Sequence, residues 1–251
     1  MSNPTGPIND LLEQLAPYFH ESVTACPYGL PHPAVYYVAG FPGIPERIMG
    51  MLLAAGYRRN GNNVYSMRCP DCRSCRPIRL DVRHFTPNRS QRRTLRKNQD
   101  ITVELGPLAP TAEKIALLDK FFAHRFPGRN NSASEYYAGF FLNSSDFSLE
   151  IRYLQNDSLM GMGILDVGGS WLNAVYFFFD PDQSRRSPGT FNILQLIDLC
   201  HKNGLEHLYL GYTISEIQAM SYKSAFLPHQ ILRDGAWRTI TTPSHRNSAS
   251  P

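Results

Sequence analysis

The run Cys69-Pro-Asp-Cys72-Arg-Ser-Cys75 constrains this chain more than any other stretch. Two C-x-x-C steps place three thiols around one point, and Cys26, in Cys26-Pro-Tyr28, can supply a fourth. The fifth cysteine, Cys200, stands alone. An odd count with three members clustered is a poor disulfide framework and reads instead as metal ligation in a reducing compartment. Three close cysteines and one distant can hold zinc or an iron–sulfur cluster, and this spacing leans towards the cluster. Arg68, Arg73 and Arg76 flank the run and would partly neutralise thiolates there. The competing reading is four reduced thiols without a metal.

The same region carries a charge asymmetry. Residues 1–105 hold 13 Lys and Arg against 8 Asp and Glu, whereas 106–251 hold 12 against 13. Within 58–97 there are 12 basic side chains, eleven of them Arg, and only 2 acidic ones, Asp71 and Asp81. Such a stripe attracts polyanions, and Arg forks onto phosphate. Its densest part is Arg89-Ser-Gln-Arg92-Arg93-Thr-Leu-Arg96-Lys97. As a helix this sets Arg89, Arg92, Arg93, Arg96 and Lys97 mostly on one face, where they repel one another unless a polyanion joins them. RNA phosphates are the expected partner, read by shape and backbone. An exposed structural helix is the alternative.

Element order gives the fold class. Helices are predicted over 9–19, 45–56, 89–98, 111–126 and 191–203, with another opening at Glu135. Strands are predicted over 77–82, 149–155, 159–167, 171–179 and 207–212, and Asn60-Gly61 turns between two short ones. The chain therefore reads as α/β (mixed α+β), with an N-terminal cysteine-containing region over 1–105. A C-terminal domain over 106–242 runs helix, helix, strand, strand, strand, helix, strand, the order of an acetyltransferase-like fold. The boundary is placed at Gly106-Pro107, and 243–251 reads as a disordered tail. No run of about 18 apolar residues predicts a membrane span, and the acidic start predicts no secretory signal. The expected compartment is the cytoplasm.

A third signal lies just past a core strand, where α/β folds commonly place their sites. Tyr212, Tyr222 and Lys223 fall in Tyr209-Leu-Gly-Tyr212 and Met220-Ser-Tyr222-Lys223. The lysine and the hydroxyls can bind a carboxylate or steady an oxyanion, though Tyr-rich strand ends more often serve packing. No nucleotide-binding Gly-rich loop, zinc-protease or serine-hydrolase motif occurs, so the chain is not expected to activate amino acids with ATP.

At these residues the sequence resembles the arginyl-tRNA–protein transferase family. Cys26-Pro-Tyr28, the stretches at 56–65, 69–79 and 85–93, and Tyr176–Asp182, Ser187–Leu194, 208–212 and 220–223 carry the resemblance, in order and across nearly the whole chain. The compact length resembles the bacterial, leucine-transferring branch, although the loop 128–134 departs from its pattern. The resemblance implies transfer of an amino acid from tRNA to an acidic N-terminus, an acetyltransferase-like fold, and for some members a cysteine-bound metal.

In that reaction an amine attacks an ester, so the donor arrives activated and no covalent enzyme intermediate is required. Positioning and oxyanion stabilisation supply the rate. No cofactor is needed for the chemistry. The arginine helix is assigned to tRNA phosphates, and Lys223 or a nearby Arg to the acceptor's carboxylate. Tyr176, Tyr212 and Tyr222 would line the site. Asp180 would take the amine's proton, or else cap the loop after it. The rivals are an arginine donor, a non-catalytic RNA-binding zinc protein, and a small-molecule N-acyltransferase.

Overall fold

The computed structural model describes residues 6–128 and 132–242. The expected tail, and residues 129–131 of the loop after the long helix, lie outside them. A small antiparallel sheet is built from β1 (His20–Thr24), β2 (Ala34–Gly40), β3 (Arg58–Asn60) and β4 (Asn63–Met67), in the order β1-β2-β4-β3. The remaining strands are β5 (Arg76–Asp81), β6 (Thr102–Pro107), β7 (Ser148–Gln155), β8 (Ser158–Val167), β9 (Trp171–Phe179), β10 (His207–Thr213), β11 (His229–Arg233) and β12 (Ala236–Ile240). They form one eight-stranded sheet in the order β12-β11-β5-β10-β9-β8-β7-β6. The boundary expected at 106 thus falls inside β6. Moreover β5, from ahead of it, is hydrogen-bonded between β10 and β11, from beyond it.

Helices α1 (Gly6–Leu15), α2 (Glu46–Ala54), α3 (Arg89–Lys97), α4 (Ala112–Arg125), α5 (Ala133–Tyr136), α6 (Pro188–Lys202) and α7 (Gln218–Ser221) complete the fold. The expected order of helix, helix, strand, strand, strand, helix, strand is met by α4, α5, β7, β8, β9, α6 and β10. Strand alternation splits the core: Ile164 of β8 packs with Leu118 and Phe122 of α4, and Leu165 with Leu196 and Ile197 of α6. The two long helices therefore cover opposite faces of the sheet. Thr111 starts α4 by accepting from the Lys114 N–H at 3.3 Å, an N-cap bond.

An apolar cluster and a hairpin turn help to fasten the small sheet to the large one. Leu52 and Leu53 of α2 join Phe147, Trp171 and Tyr209 in a shared cluster. The β3–β4 hairpin turns at Gly61, with φ of +52°, and the Gly61 N–H donates to Phe140 O at 2.6 Å. A side chain there would be strained in the left-handed region and would run into the Gly139 carbonyl. Among the described residues no helix is long and apolar enough to cross a membrane.

Candidate active site

The two arginines of β3 face opposite ways, as a strand requires, and both are buried. Arg59 Nε and Nη2 grip Asp166 of β8 at 2.9 and 2.5 Å. Arg58 fills a different gap. Strands β9 and β10 run parallel only from His207↔Trp171 to Tyr209↔Asn173. Beyond that β10 bulges towards β5, between Tyr209 and Tyr212, with Gly211 at φ +80°. The strands part, and the Arg58 guanidinium occupies the opening. Nη1 donates to Asn173 Oδ1 at 3.0 Å and Nη2 to the Ala174 carbonyl at 3.0 Å. A Cβ on Gly211 would sit 2.8 Å from Arg58 Cζ, so the close approach itself requires glycine.

Rings gather over this cleft. Tyr65 of β4 stands 5.5 Å from Tyr36 and 6.5 Å from Tyr212, centroid to centroid. Tyr176 stands 5.9 Å from Tyr136. Burial raises the phenols of Tyr28, Tyr36, Tyr65, Tyr176 and Tyr212, and pushes Tyr136 up to about 12, so all are neutral hydroxyls at physiological pH. The Tyr212 hydroxyl is buried without a hydrogen-bond partner. That costs free energy unless a ligand atom meets it. Lys223, in the turn after α7, donates from Nζ to the Tyr212 carbonyl at 2.8 Å. Burial and then the Arg58 charge lower its ammonium to about 7.

The structure therefore joins Tyr212 and Lys223, with Tyr176 at the far side of the ring cluster. The other two candidates stand elsewhere. Tyr222 turns away to pack on the first turn of α6, its hydroxyl 3.4 Å from where a Cβ on Gly189 would lie. Asp180 caps the turn Pro181–Arg186, accepting from the Asp182 N–H at 3.0 Å and pairing with Lys120 at 2.6 Å. No described contact links it to Lys223 or Tyr212, and the capping alternative is the one observed. Sequence reasoning missed Arg58, Tyr28, Tyr36, Tyr65 and Tyr136. The signal for the first was present: two adjacent arginines in a three-residue strand must send one side chain inward.

The basic stripe over 58–97 is not a single surface. Arg58 and Arg59 are buried, Arg68 lies 3.3 Å over the Tyr37 ring, and Arg79 lies 4.3 Å over the Trp237 ring. Arg83 pairs with Asp81 at 2.8 Å. What remain open are Arg76 and, as the one continuous basic face among the described residues, α3. Asn88 and Gln91 form a reciprocal capping box at its start, and Gln91 and Thr94 face inward. Arg89, Arg92, Arg93, Arg96 and Lys97 are all exposed, and none pairs with an acid among the described residues. Lys97 donates to the Arg185 carbonyl, which brings exposed Arg185 alongside the same stripe.

The four clustered cysteines are free. Among the described residues no set of three or more His, Cys, Asp or Glu is arranged to hold a metal ion. Nevertheless Cys26, Cys69 and Cys72 all bear on Cys75. Burial and then these three neighbours, Cys69 first, push its thiol up to about 12. The Val35 N–H points at Cys69 Sγ, 3.4 Å away, and Arg73 ties the loop by donating to the Cys69 carbonyl. By donor chemistry, four thiols would suit a soft, thiolate-binding cation, which would displace their protons on binding.

Two family models match the chain: arginine-tRNA-protein transferase, N terminus, over residues 24–93, and arginine-tRNA-protein transferase, C terminus, over residues 113–233. The chain is 38% identical to an aspartate/glutamate leucyltransferase of Methylobacillus flagellatus, covering 76% of this chain and 78% of that one. It is 35% identical to an aspartate/glutamate leucyltransferase of Thiobacillus denitrificans, covering 78% and 83%. Among solved structures it is similar to an aminoglycoside acetyltransferase from an uncultured soil metagenomic sample (14% identity, TM-score 0.38, covering 52% and 90%).

Proposed function

The chain belongs to the arginine-tRNA-protein transferase family, and we propose that it moves leucine from Leu-tRNA onto the N-terminal Asp or Glu of a protein. The product would enter N-degron proteolysis in the cytoplasm. One observation carries the reading: the arginine helix is bonded to the cleft. Gln91 of α3 donates from Nε2 to the Ala225 carbonyl at 3.3 Å, two residues from Lys223. An acceptor stem laid on the exposed face of α3 would thus rest on the helix whose inner face fixes the turn that holds the lysine. Leucine, rather than arginine, suits a lining of rings with neutral hydroxyls, which offers no anion to a guanidinium.

The reaction is aminolysis of an ester. The acceptor's neutral amine attacks the leucyl carbonyl carbon, a C–N bond forms, and the carbonyl oxygen takes the charge. The Tyr212 hydroxyl would donate to that oxyanion, a role supported by its having no partner at rest. Collapse breaks the ester C–O bond, and the proton from the amine nitrogen ends on the departing ribose oxygen. A preorganised hydroxyl donor in a water-poor cleft is worth about 2–4 kcal/mol by comparison with other oxyanion holes.

A matched assay tests this, with Leu-tRNA and Arg-tRNA each offered to peptides beginning with Asp, Glu, Lys or Arg. Transfer from Leu-tRNA to the acidic peptides alone is expected. Use of Arg-tRNA would keep the family and change the donor. Bound tRNA with no transfer under any pairing would favour a non-catalytic RNA-binding protein.

Cys26, Cys69, Cys72 and Cys75 would hold zinc or an iron–sulfur cluster. Bound, the metal would cross-link the loop between β4 and β5, and a cluster would add one-electron redox chemistry. Anaerobically purified protein is expected to carry stoichiometric metal, coloured if iron, and Cys72→Ser is expected to lose it. Metal-free protein with all thiols titratable would end the idea.

A further inference from the structure

Two cationic side chains meet in the cleft with only neutral partners. Arg58 is buried, and its acceptors are an amide oxygen, a backbone carbonyl and the Tyr65 hydroxyl. Lys223 spends one ammonium hydrogen on the Tyr212 carbonyl. Neither forms an ion pair among the described residues, because Asp166, the carboxylate behind Asn173, is already taken by Arg59. Glu216, on the loop between β10 and Lys223, faces Ser74 and bears on Cys75 instead. Adjacent, largely desolvated like charges are unfavourable and call for an anion. In the same cleft lies a buried hydroxyl with no partner among the described residues, that of Tyr212.

We propose that Lys223, with Arg58 behind it, receives the side-chain carboxylate of the acceptor's N-terminal residue. This rests on the transferase reading and assigns its acceptor specificity to named groups. Lys223 has two ammonium hydrogens left for a carboxylate. Arg58 is a positioning residue: it holds the parted strands open and adds the second positive charge. A terminal phosphate of tRNA is the other anion that such a pair would accept, and the test separates the two.

The charge that bears on Lys223 is Arg58 from β3; Tyr212 of β10 supplies the carbonyl it bonds, and Tyr65 of β4 and Tyr28 of the loop before β2 bear in turn on Tyr212. The three phenols stay neutral because burial raises them. The lysine alone therefore changes charge near neutrality, and its lowered value sets the sign. A carboxylate is held by the protonated form, so affinity is highest below about 7. Above that pH it falls by up to about tenfold per unit, until the raised value of the bound state is passed. A lysine acting as general base would show the opposite slope.

The experiment measures direct binding of two peptides, one beginning with Asp and one with Asn, from about pH 6 to about pH 9. Both carry the same amine, so its titration cancels in the ratio. The Asp/Asn preference of the wild type is expected to decline as pH rises through neutrality. Lys223→Met is expected to lower the preference at least about tenfold, with Lys223→Arg restoring part of it and removing its pH dependence. Its tRNA affinity is expected to stay within about twofold of wild type. A preference that is pH-independent in the wild type, or unchanged in Lys223→Met, overturns the proposal. So does loss of tRNA affinity with the preference intact, which would make the anion a phosphate. Wild type that prefers the Asp peptide but transfers no leucine would leave the receptor standing and remove the transferase reading.

Discussion

Replacing Asp166 by alanine is expected to lower the unfolding free energy by about 3–5 kcal/mol, the usual cost of stranding one partner of a buried ion pair. Both side chains are essentially inaccessible, at 1% for Arg59 and 0% for Asp166. The carboxylate receives Arg59 Nε and Nη2, Ser148 Oγ at 2.7 Å and Asn173 Nδ2 at 3.0 Å. After truncation the guanidinium keeps only the Gly61 carbonyl at 2.6 Å and a long contact to Ser148. A urea transition gives the number, and a loss under about 1 kcal/mol would mean the cavity admits water or the guanidinium escapes to solvent. Charge is the cause, so Arg59→Met combined with Asp166→Leu should recover much of the stability. Transfer activity should not return with it, because Asn173 holds Arg58 at 3.0 Å while leaning on Asp166.

The largest expected loss of binding comes from Arg89, Arg93 and Arg96 changed together to alanine. All three are exposed and no described contact occupies their guanidinium groups, unlike Arg92, which donates to the Pro87 carbonyl, or Lys97. If each neutralises one phosphate, the slope of log Kd against log salt should fall by about 2–3, and affinity near 0.1 M salt by about 10²–10³-fold. The fold should not suffer, since crowded like charges on one helix face are relieved and the capping box stays in place. Binding measured across a salt series decides the matter. A loss of affinity without change of slope would show that these arginines shape the helix rather than meet phosphate.

Local signals carried the elements that depend on local chemistry. The apolar positions Ile193, Leu196, Ile197 and Cys200 announced α6, and all four are buried. Asn60-Gly61 announced the hairpin, and the arginine run announced α3. Pairing between distant segments left no such trace, so β11 and β12 were not anticipated and the placement of β5 was not legible. The site fell between these cases. Tyr212 and Lys223 were found because α/β folds commonly place chemistry at strand ends, but their neighbour Arg58 lies 165 positions before Lys223 in sequence. Counting charge along 58–97 gave it to the surface. A count cannot tell an arginine that faces water from one that fills a gap between strands. Asp180 took the second of its two readings for a related reason: an acid after a strand and before Pro181 serves a backbone N–H as readily as a substrate.

The position of β5 also sets a schedule for the newborn chain. Arg79 reaches its partner Gln230 across 151 residues, which a ribosome adding about 5–20 residues per second takes roughly 8–30 s to produce. Until β10 and then β11 are made, Ile78 and Leu80, fully buried at the end, lack their neighbours from those strands. The middle of the sheet closes late, and until the second half of the polypeptide emerges the apolar side chains of β5 stay open to aggregation.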